Sequence, residues 1–148
     1  MSDAPGLDPA ALGDDAVRTV REMLAGLGCT VDELDAAERE GTLPLLAVER
    51  LMVPEAAEYD LAGRMLVVAG FSNGANMALA TAIRHPQLLT RAIGFSGMYP
   101  FADRTPTDSL AGLEALLLNG HDDPMAPRAS VDRLHTVLTG LGAESTRE

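Results

Sequence analysis

The sequence predicts an α/β fold, a short parallel sheet flanked by helices, preceded by an N-terminal helical segment. Three observations carry this. Residues 61–148 alternate short apolar runs with helical patterns, the order that parallel sheets produce. The run Met65-Leu66-Val67-Val68-Ala69-Gly70 is continuously apolar, as a buried parallel strand is, rather than alternating. Residues 1–60 hold 14 acidic and 4 basic side chains, against 8 and 7 in residues 61–148, so composition and texture change together. The chain therefore divides into an acidic helical segment, 1–60, and an α/β part, 61–148.

The elements follow in order. The first dozen residues, with two prolines and two acids, read as a frayed tail. Val17, Val20, Met23, Leu24 and Leu27 then recur at three- and four-residue steps, one stripe of a helix that Gly26 and Gly28 bring to a stop. Thr30-Val31-Asp32-Glu33 has capping-box spacing and opens a second helix that ends near Gly41. A third runs from Leu43 to Tyr59, interrupted at Pro54. After the valine-rich strand, Gly74 to Arg84 is small, apolar and helical, and His85-Pro86 ends it because the residue before a proline avoids the α region. Ala92 to Ser96 is a second strand, residues 99–112 a loop, Ala115 to Leu118 a third strand, Asn119 to Pro127 a loop, and Ala129 to Leu141 a closing helix. A three-strand sheet exposes edges where a second copy or a partner would pair.

Charge and composition exclude several function classes. The 148 residues carry a net charge of −11, which opposes nucleic acid and anionic membranes as partners. Aromatics make up 3% and tryptophan is absent, too few for a base-stacking platform. No stretch approaches the ~20 apolar residues of a membrane span, and the N-terminus lacks the basic and apolar regions of a signal peptide. A single cysteine, Cys29, allows no internal disulfide and no multi-cysteine zinc site, so a reduced cytoplasmic setting is expected.

Two segments carry chemistry. Gly70-Phe71-Ser72-Asn73-Gly74 is a G-x-S-x-G motif between a strand and a helix, the context of a nucleophile elbow. There the glycines permit a sharp turn, Ser72 is lifted clear of the sheet, and the Asn73 N–H at the positive end of the helix faces a developing oxyanion. The plainer alternative is a glycine-rich turn with a capping serine. Asn119-Gly120-His121-Asp122-Asp123-Pro124-Met125-Ala126-Pro127 follows a strand downstream of the serine, as the acid does in the Ser, Asp, His order of α/β hydrolases. Asp123 would orient a histidine and stabilise its imidazolium; the alternative is an acidic Asx turn.

Three ordered blocks resemble the carboxylesterase/phospholipase family of α/β hydrolases, which includes the acyl-protein thioesterases. Gly70 to Gly74 with Ala75-Asn76-Met77-Ala78 is similar to the family's elbow and its helix. Ala92 to Pro100 resembles the next strand and its Ser-Gly-x-x-Pro ending. Asn119 to Pro127 resembles the His-Gly-x-x-Asp-Pro-x-Val-Pro loop. The resemblance covers residues 66–143 and implies a partial α/β-hydrolase fold. It also implies Ser72 as nucleophile, Asp123 as triad acid, Ser96 as structural, an acyl ester or thioester substrate, and no metal or cofactor. Separately, residues 29–51 resemble helical regulatory segments beside bacterial adenylate cyclase domains.

The chain departs from the family in its base. The family's histidine follows the acid by roughly 30 residues, in the Ser, Asp, His order, which falls beyond Glu148. His85, His121 and His135 occupy other places; His121, in the acid's own loop, is the substitute base to test. The early loop that supplies the family's second oxyanion donor also has no counterpart before Ser72. The expectation is a serine hydrolase that is weak or inactive as an isolated chain. The competing reading is a non-catalytic hydrolase relative, or a helical regulatory protein, that binds a partner.

Overall fold

The computed structural model describes residues 13–61 and 63–148; the tail expected in the first dozen residues lies outside them. Two compact units divide the chain, one within Leu7–Ala62 and one carrying Gly63–Glu148.

The first unit is three helices, α1 (Asp14–Gly26), α2 (Val31–Arg39) and α3 (Leu43–Glu58). Leu24, Cys29, Leu34, Ala37 and Leu43 form its core, with Val17, Val20, Leu46 and Ala47 packed against it. Val17, Val20 and Leu24 of the stripe read from sequence thus face inward, as an amphipathic helix requires, whereas Met23 and Leu27 stay exposed. Gly28, at φ 86°, takes the left-handed turn that ends α1, and the N–H groups of Gly28 and Cys29 bond to the Ala25 and Leu24 carbonyls at 3.0 Å each. Thr30 follows at once and opens α2. Its N–H donates to Glu33 Oε2 at 2.8 Å, and the Glu33 N–H donates back to Thr30 Oγ1 at 3.3 Å, completing the capping box. Arg21 reaches from α1 to Asp35 and Glu38 of α2, at 2.6 and 2.5 Å, and Arg50 of α3 pairs with Glu33. The interruption expected at Pro54 does not occur, because α3 continues through it to Glu58. A proline removes one backbone bond and crowds the carbonyl four residues back, which strains a helix without obliging it to end.

The second unit is β1 (Val67–Phe71), α4 (Asn73–Arg84), β2 (Arg91–Phe95), β3 (Glu114–Leu118), α5 (Arg128–Gly140) and β4 (Glu144–Arg147). The sheet order is β1-β2-β3-β4 and every pairing is parallel. This is the expected short parallel sheet with helices, a partial α/β-hydrolase architecture, with two corrections. The sheet has four strands, not three. β4 is Glu-Ser-Thr-Arg, polar and mostly exposed at one edge of the sheet, so it lacks the apolar run that marked the others. Gly142, at φ 96°, turns the chain after α5, and β4 lies beside β3 with Glu144 opposite Glu114. The second correction concerns β1. It forms the other edge, and Val67 and Phe71 are 51% and 71% exposed, so the continuous apolar run does not mark burial on both faces.

α4 sits close against the sheet because the facing residues are small. Ala75, Ala78, Leu79 and Ala82 are buried on the helix. A Cβ at Gly94 of β2 would stand 2.8 Å from Leu79 Cδ1, and one at Gly97 would stand 3.0 Å from the Ala75 Cβ. Leu110, Leu113, Leu117, Leu134 and Leu138 complete the core, each at most 1% exposed. Among the described residues, no helix is long and apolar enough to cross a membrane.

The capping box makes the first unit acid-sensitive. Hydrogen bonds from Thr30, first from its backbone and then from its hydroxyl, hold the Glu33 carboxyl below its ordinary value of 4.5. A depressed folded-state pKa adds stability above the unfolded value, and that stability is lost as pH falls through the lowered one. Helicity followed by circular dichroism should therefore fall as pH drops below 4.5. Glu33→Gln, which keeps the box but cannot titrate, should remove part of that acid dependence.

Candidate functional site

Because the strands run parallel, the residues that follow them emerge on one edge of the sheet. Three hydrogen bonds close that edge. Ser72 N–H donates to the Phe95 carbonyl at 2.8 Å, Ser96 N–H to the Leu118 carbonyl at 2.8 Å, and Asn119 N–H to the Glu148 carbonyl at 3.0 Å. Ser72, Ser96 and the loop after Asn119 thus stand on successive strands roughly 4.8 Å apart. Ligands in open α/β sheets bind at this edge.

Ser72 is the single residue between β1 and α4. Its backbone has φ 55° and ψ −120°, a conformation that L residues rarely adopt, with a cost on the order of 1–3 kcal/mol. It stands in the N-cap position, where serine ordinarily caps through its hydroxyl, yet it makes no side-chain capping bond. Its carbonyl instead starts the helix by accepting from Asn76 N–H at 3.1 Å. The capping-serine alternative is therefore not what this turn does. The tightness of the turn falls on Gly70, where a Cβ would lie 2.2 Å from the Gly74 carbonyl oxygen. At Gly74 a Cβ would meet nothing within 4 Å, so the two glycines of the motif are not equivalent. Asn73 is the first residue of α4, and its N–H is among the helix's initial donors, which have no partner within the helix.

Asp123 lies on the loop after β3, at the same edge. Met125 N–H donates to its Oδ1 at 2.9 Å, so the Asx turn is present. The carboxyl is held below its ordinary value of 3.8, first by the Met125 N–H, then by the Ser96 hydroxyl, with a smaller part from the Ala126 N–H; desolvation opposes them. Lowering by donors favours its ionised form, and the Met125 N–H is the one seen bonded to it. Sequence reasoning gave Ser96 no part in this. The signal available was positional: Ser96 follows β2 as Ser72 follows β1, and its φ is 53°.

Polar anchors hold the segment between β2 and β3. The buried Asn76 side chain accepts from Met98 N–H at 2.8 Å. Asn119 Nδ2 donates to the Gly97 carbonyl at 2.9 Å, and Ser130 Oγ accepts from Tyr99 N–H at 2.9 Å. Arg133 stacks over the Tyr99 ring, 4.0 Å from its centroid.

The histidines are engaged in other ways. His85 closes α4, its N–H bonded to the Thr81 carbonyl at 2.9 Å. His135 Nδ1 lies 2.9 Å from Ser145 Oγ, joining α5 to β4. His121 is exposed, with Arg128 Nη1 at 3.2 Å from Nδ1 and 3.4 Å from Nε2. Among the described residues, no three histidine, cysteine or acidic side chains converge as metal ligands would.

A family model described as Phospholipase/Carboxylesterase matches residues 48–147, which leaves α1 and α2 outside the match. Among solved structures, the chain is similar to a carboxylesterase from Bacillus cereus, with 25% identity, a TM-score of 0.63, and coverage of 70% of this chain and 50% of that one. It is similar to a carboxylesterase from Mesorhizobium loti, with 28% identity, a TM-score of 0.61, and coverage of 70% and 48%. It is also similar to the structure of YahD with malic acid, with 26% identity, a TM-score of 0.59, and coverage of 83% and 59%. The chain thus spans about half the length of the two carboxylesterases it matches. No curated protein matches it.

Two stability measurements by urea unfolding follow from the turn. Gly70→Ala should destabilise by about 1–3 kcal/mol or more, since the new methyl meets rigid backbone. Gly74→Ala should be neutral or stabilising by up to about 1 kcal/mol, since glycine within a helix is generally less stable than alanine by about that much. Ser72→Gly should be more stable than Ser72→Ala, because only glycine relieves the left-handed backbone. That relief of about 1–3 kcal/mol outweighs the ~0.4–1 kcal/mol of added freedom in the unfolded chain.

Proposed function

Since the chain belongs to the phospholipase/carboxylesterase family, we propose that it is a serine carboxylic-ester hydrolase by chemistry, weak or inactive as an isolated chain. The observation that carries this reading is Ser72. It is held in strained backbone at the carboxyl edge of the sheet, and its hydroxyl is left out of the capping bond its position offers. Strain kept at one residue while its side chain goes unused locally is typical of a nucleophile elbow.

In the reaction, Ser72 Oγ attacks the acyl carbonyl of an ester or thioester, and its proton passes to a base. The carbonyl oxygen becomes an oxyanion facing the Asn73 N–H and the positive end of α4. Collapse of the intermediate expels the alcohol or thiol, and water then releases the acyl group from Ser72. In a complete triad the acid acts through a histidine, fixing its tautomer and stabilising its charge, and Asp123 is the residue we assign to that acid. The chemistry requires no metal or cofactor, and a reduced cytoplasmic setting accords with the lone cysteine.

The base is the weak point. A triad works as a unit, so a serine and an acid acting without a histidine turn over several orders of magnitude more slowly. A missing second oxyanion donor typically lowers kcat by a further ~10²–10³. His121 shares the acid's loop, but its ring nitrogens face Arg128.

The test is labelling by a fluorophosphonate probe together with p-nitrophenyl butyrate hydrolysis. We expect slow labelling at Ser72 and slow turnover, both lost in Ser72→Ala and little changed in His121→Ala. Turnover that survives Ser72→Ala would overturn the reading. Loss of turnover in His121→Ala equal to that in Ser72→Ala would make His121 the base.

A further inference from the structure

We propose that β1 is the docking edge for a second copy of this chain. The two β1 strands pair antiparallel about a twofold axis at Ala69 and join two sheets into one. The pairing stands apart from the role of Ser72 as a nucleophile.

The two edges of the sheet are built differently. β4 is short and polar and is charged at both ends, at Glu144 and Arg147, and charge is an ordinary guard of an edge strand against further pairing. β1 is Val-Val-Ala-Gly-Phe, with no charge and no proline. Its register with β2 is unbroken by any bulge, and among the described residues no strand lies on its other side. Its outward groups are regularly spaced. Ser72 N–H points to β2, at the Phe95 carbonyl. Backbone groups alternate along a strand, so the N–H and carbonyl groups of Val67, Ala69 and Phe71 point away from β2.

The same three residues carry side chains on an open face, and all three are exposed. Sheet neighbours follow chain order, so right-handed crossovers bring the connecting helices to the opposite face. That covered face holds the buried Ala92, Ala115 and Leu117.

A second copy fits this edge because the strand is complementary to itself. In an antiparallel pair centred on Ala69, Ala69 meets the partner's Ala69 and Val67 meets the partner's Phe71. Each outward residue then exchanges both backbone bonds with its opposite. An aromatic ring opposite a β-branched residue is a favourable cross-strand pair, and the small Ala69 lets the centre close. Phe95, the register partner of Phe71, is also exposed and extends the apolar row behind the seam. No charge stands along residues 65–71 to select a charged partner, and residues 61–148 are nearly neutral, with 8 acidic and 7 basic side chains. The assembly closes at two copies, since each sheet's other edge is the guarded β4. A five-residue strand is small beside the roughly 800 Å² per partner of a stable interface, so the dimer is weak and depends on concentration.

The experiment is sedimentation velocity of the full chain at rising concentration. The wild type should pass from monomer to dimer. Added salt should favour the dimer, because it screens two chains that each carry a net charge of −11. Ala69→Lys and Ala69→Glu each set like charges opposite one another at the axis, and each should stay monomeric. An equal mixture of the two should form the dimer, because opposite charges then meet; this recovery also shows that both variants fold. Thr146→Lys, exposed in the same row at the β4 edge, should dimerise as the wild type does. A wild type that stays monomeric at every concentration overturns the proposal. So does a dimer that persists in both Ala69 variants, a mixture of them that stays monomeric, a dimer lost in Thr146→Lys, or a dimer that salt dissociates. The readout needs no turnover, so an unlabelled Ser72 leaves the pairing standing, and a monomeric chain leaves the hydrolase reading standing.

Discussion

Everything at the carboxyl edge depends on four strands running parallel with their ends level. The pairing of Val67 with Arg91, Arg91 with Glu114, and Glu114 with Glu144 keeps the strands in step. The residue after each of the first three strands then finds the next strand's last carbonyl or the one just past it, and the rungs from Ser72, Ser96 and Asn119 are the result. A slip of one residue in any pairing would turn the side chains to the opposite face and break those rungs. α4 reinforces the register, because Gly94 and Gly97 leave room for Leu79 and Ala75 of that helix.

Most of the architecture was legible because it rests on local chemistry. The capping box at Thr30 and Glu33, the stop after α1 and the change to strand texture near residue 65 all depend on neighbours in sequence. What escaped depends on partners far along the chain. β4 is a strand because β3 offers it bonds, and its own residues carry no strand pattern. β1 reads as a buried strand although it sits at an edge, since apolar content does not reveal what covers a strand. Pro54 raised an expectation of a break that the helix on either side absorbs.

The site was legible in part for the same reason. The G-x-S-x-G turn is local, and the close approach of Gly70 to Gly74 can be anticipated from two glycines four apart. That Gly74 itself needs no glycine could not be. Ser96 helps to lower the Asp123 carboxyl from 27 residues away and from another strand end, so no spacing rule exposes its part. The three histidines were visible as residues, but their partners Thr81, Arg128 and Ser145 emerge only once the helices and strands are placed.

The strand order has a kinetic consequence. Sheet neighbours are also neighbours in the chain, so register partners lie 24, 23 and 30 residues apart: Val67 to Arg91, Arg91 to Glu114, and Glu114 to Glu144. Parallel sheets are ordinarily slow to form, because distant segments must meet before any contact repays the entropy of closing the loop between them. Here each closure spans a similar, modest length, and no strand must be inserted between two already paired. Assembly can add one strand at a time onto a preceding template, and the entropy of bringing in each new strand is nearly the same at every step.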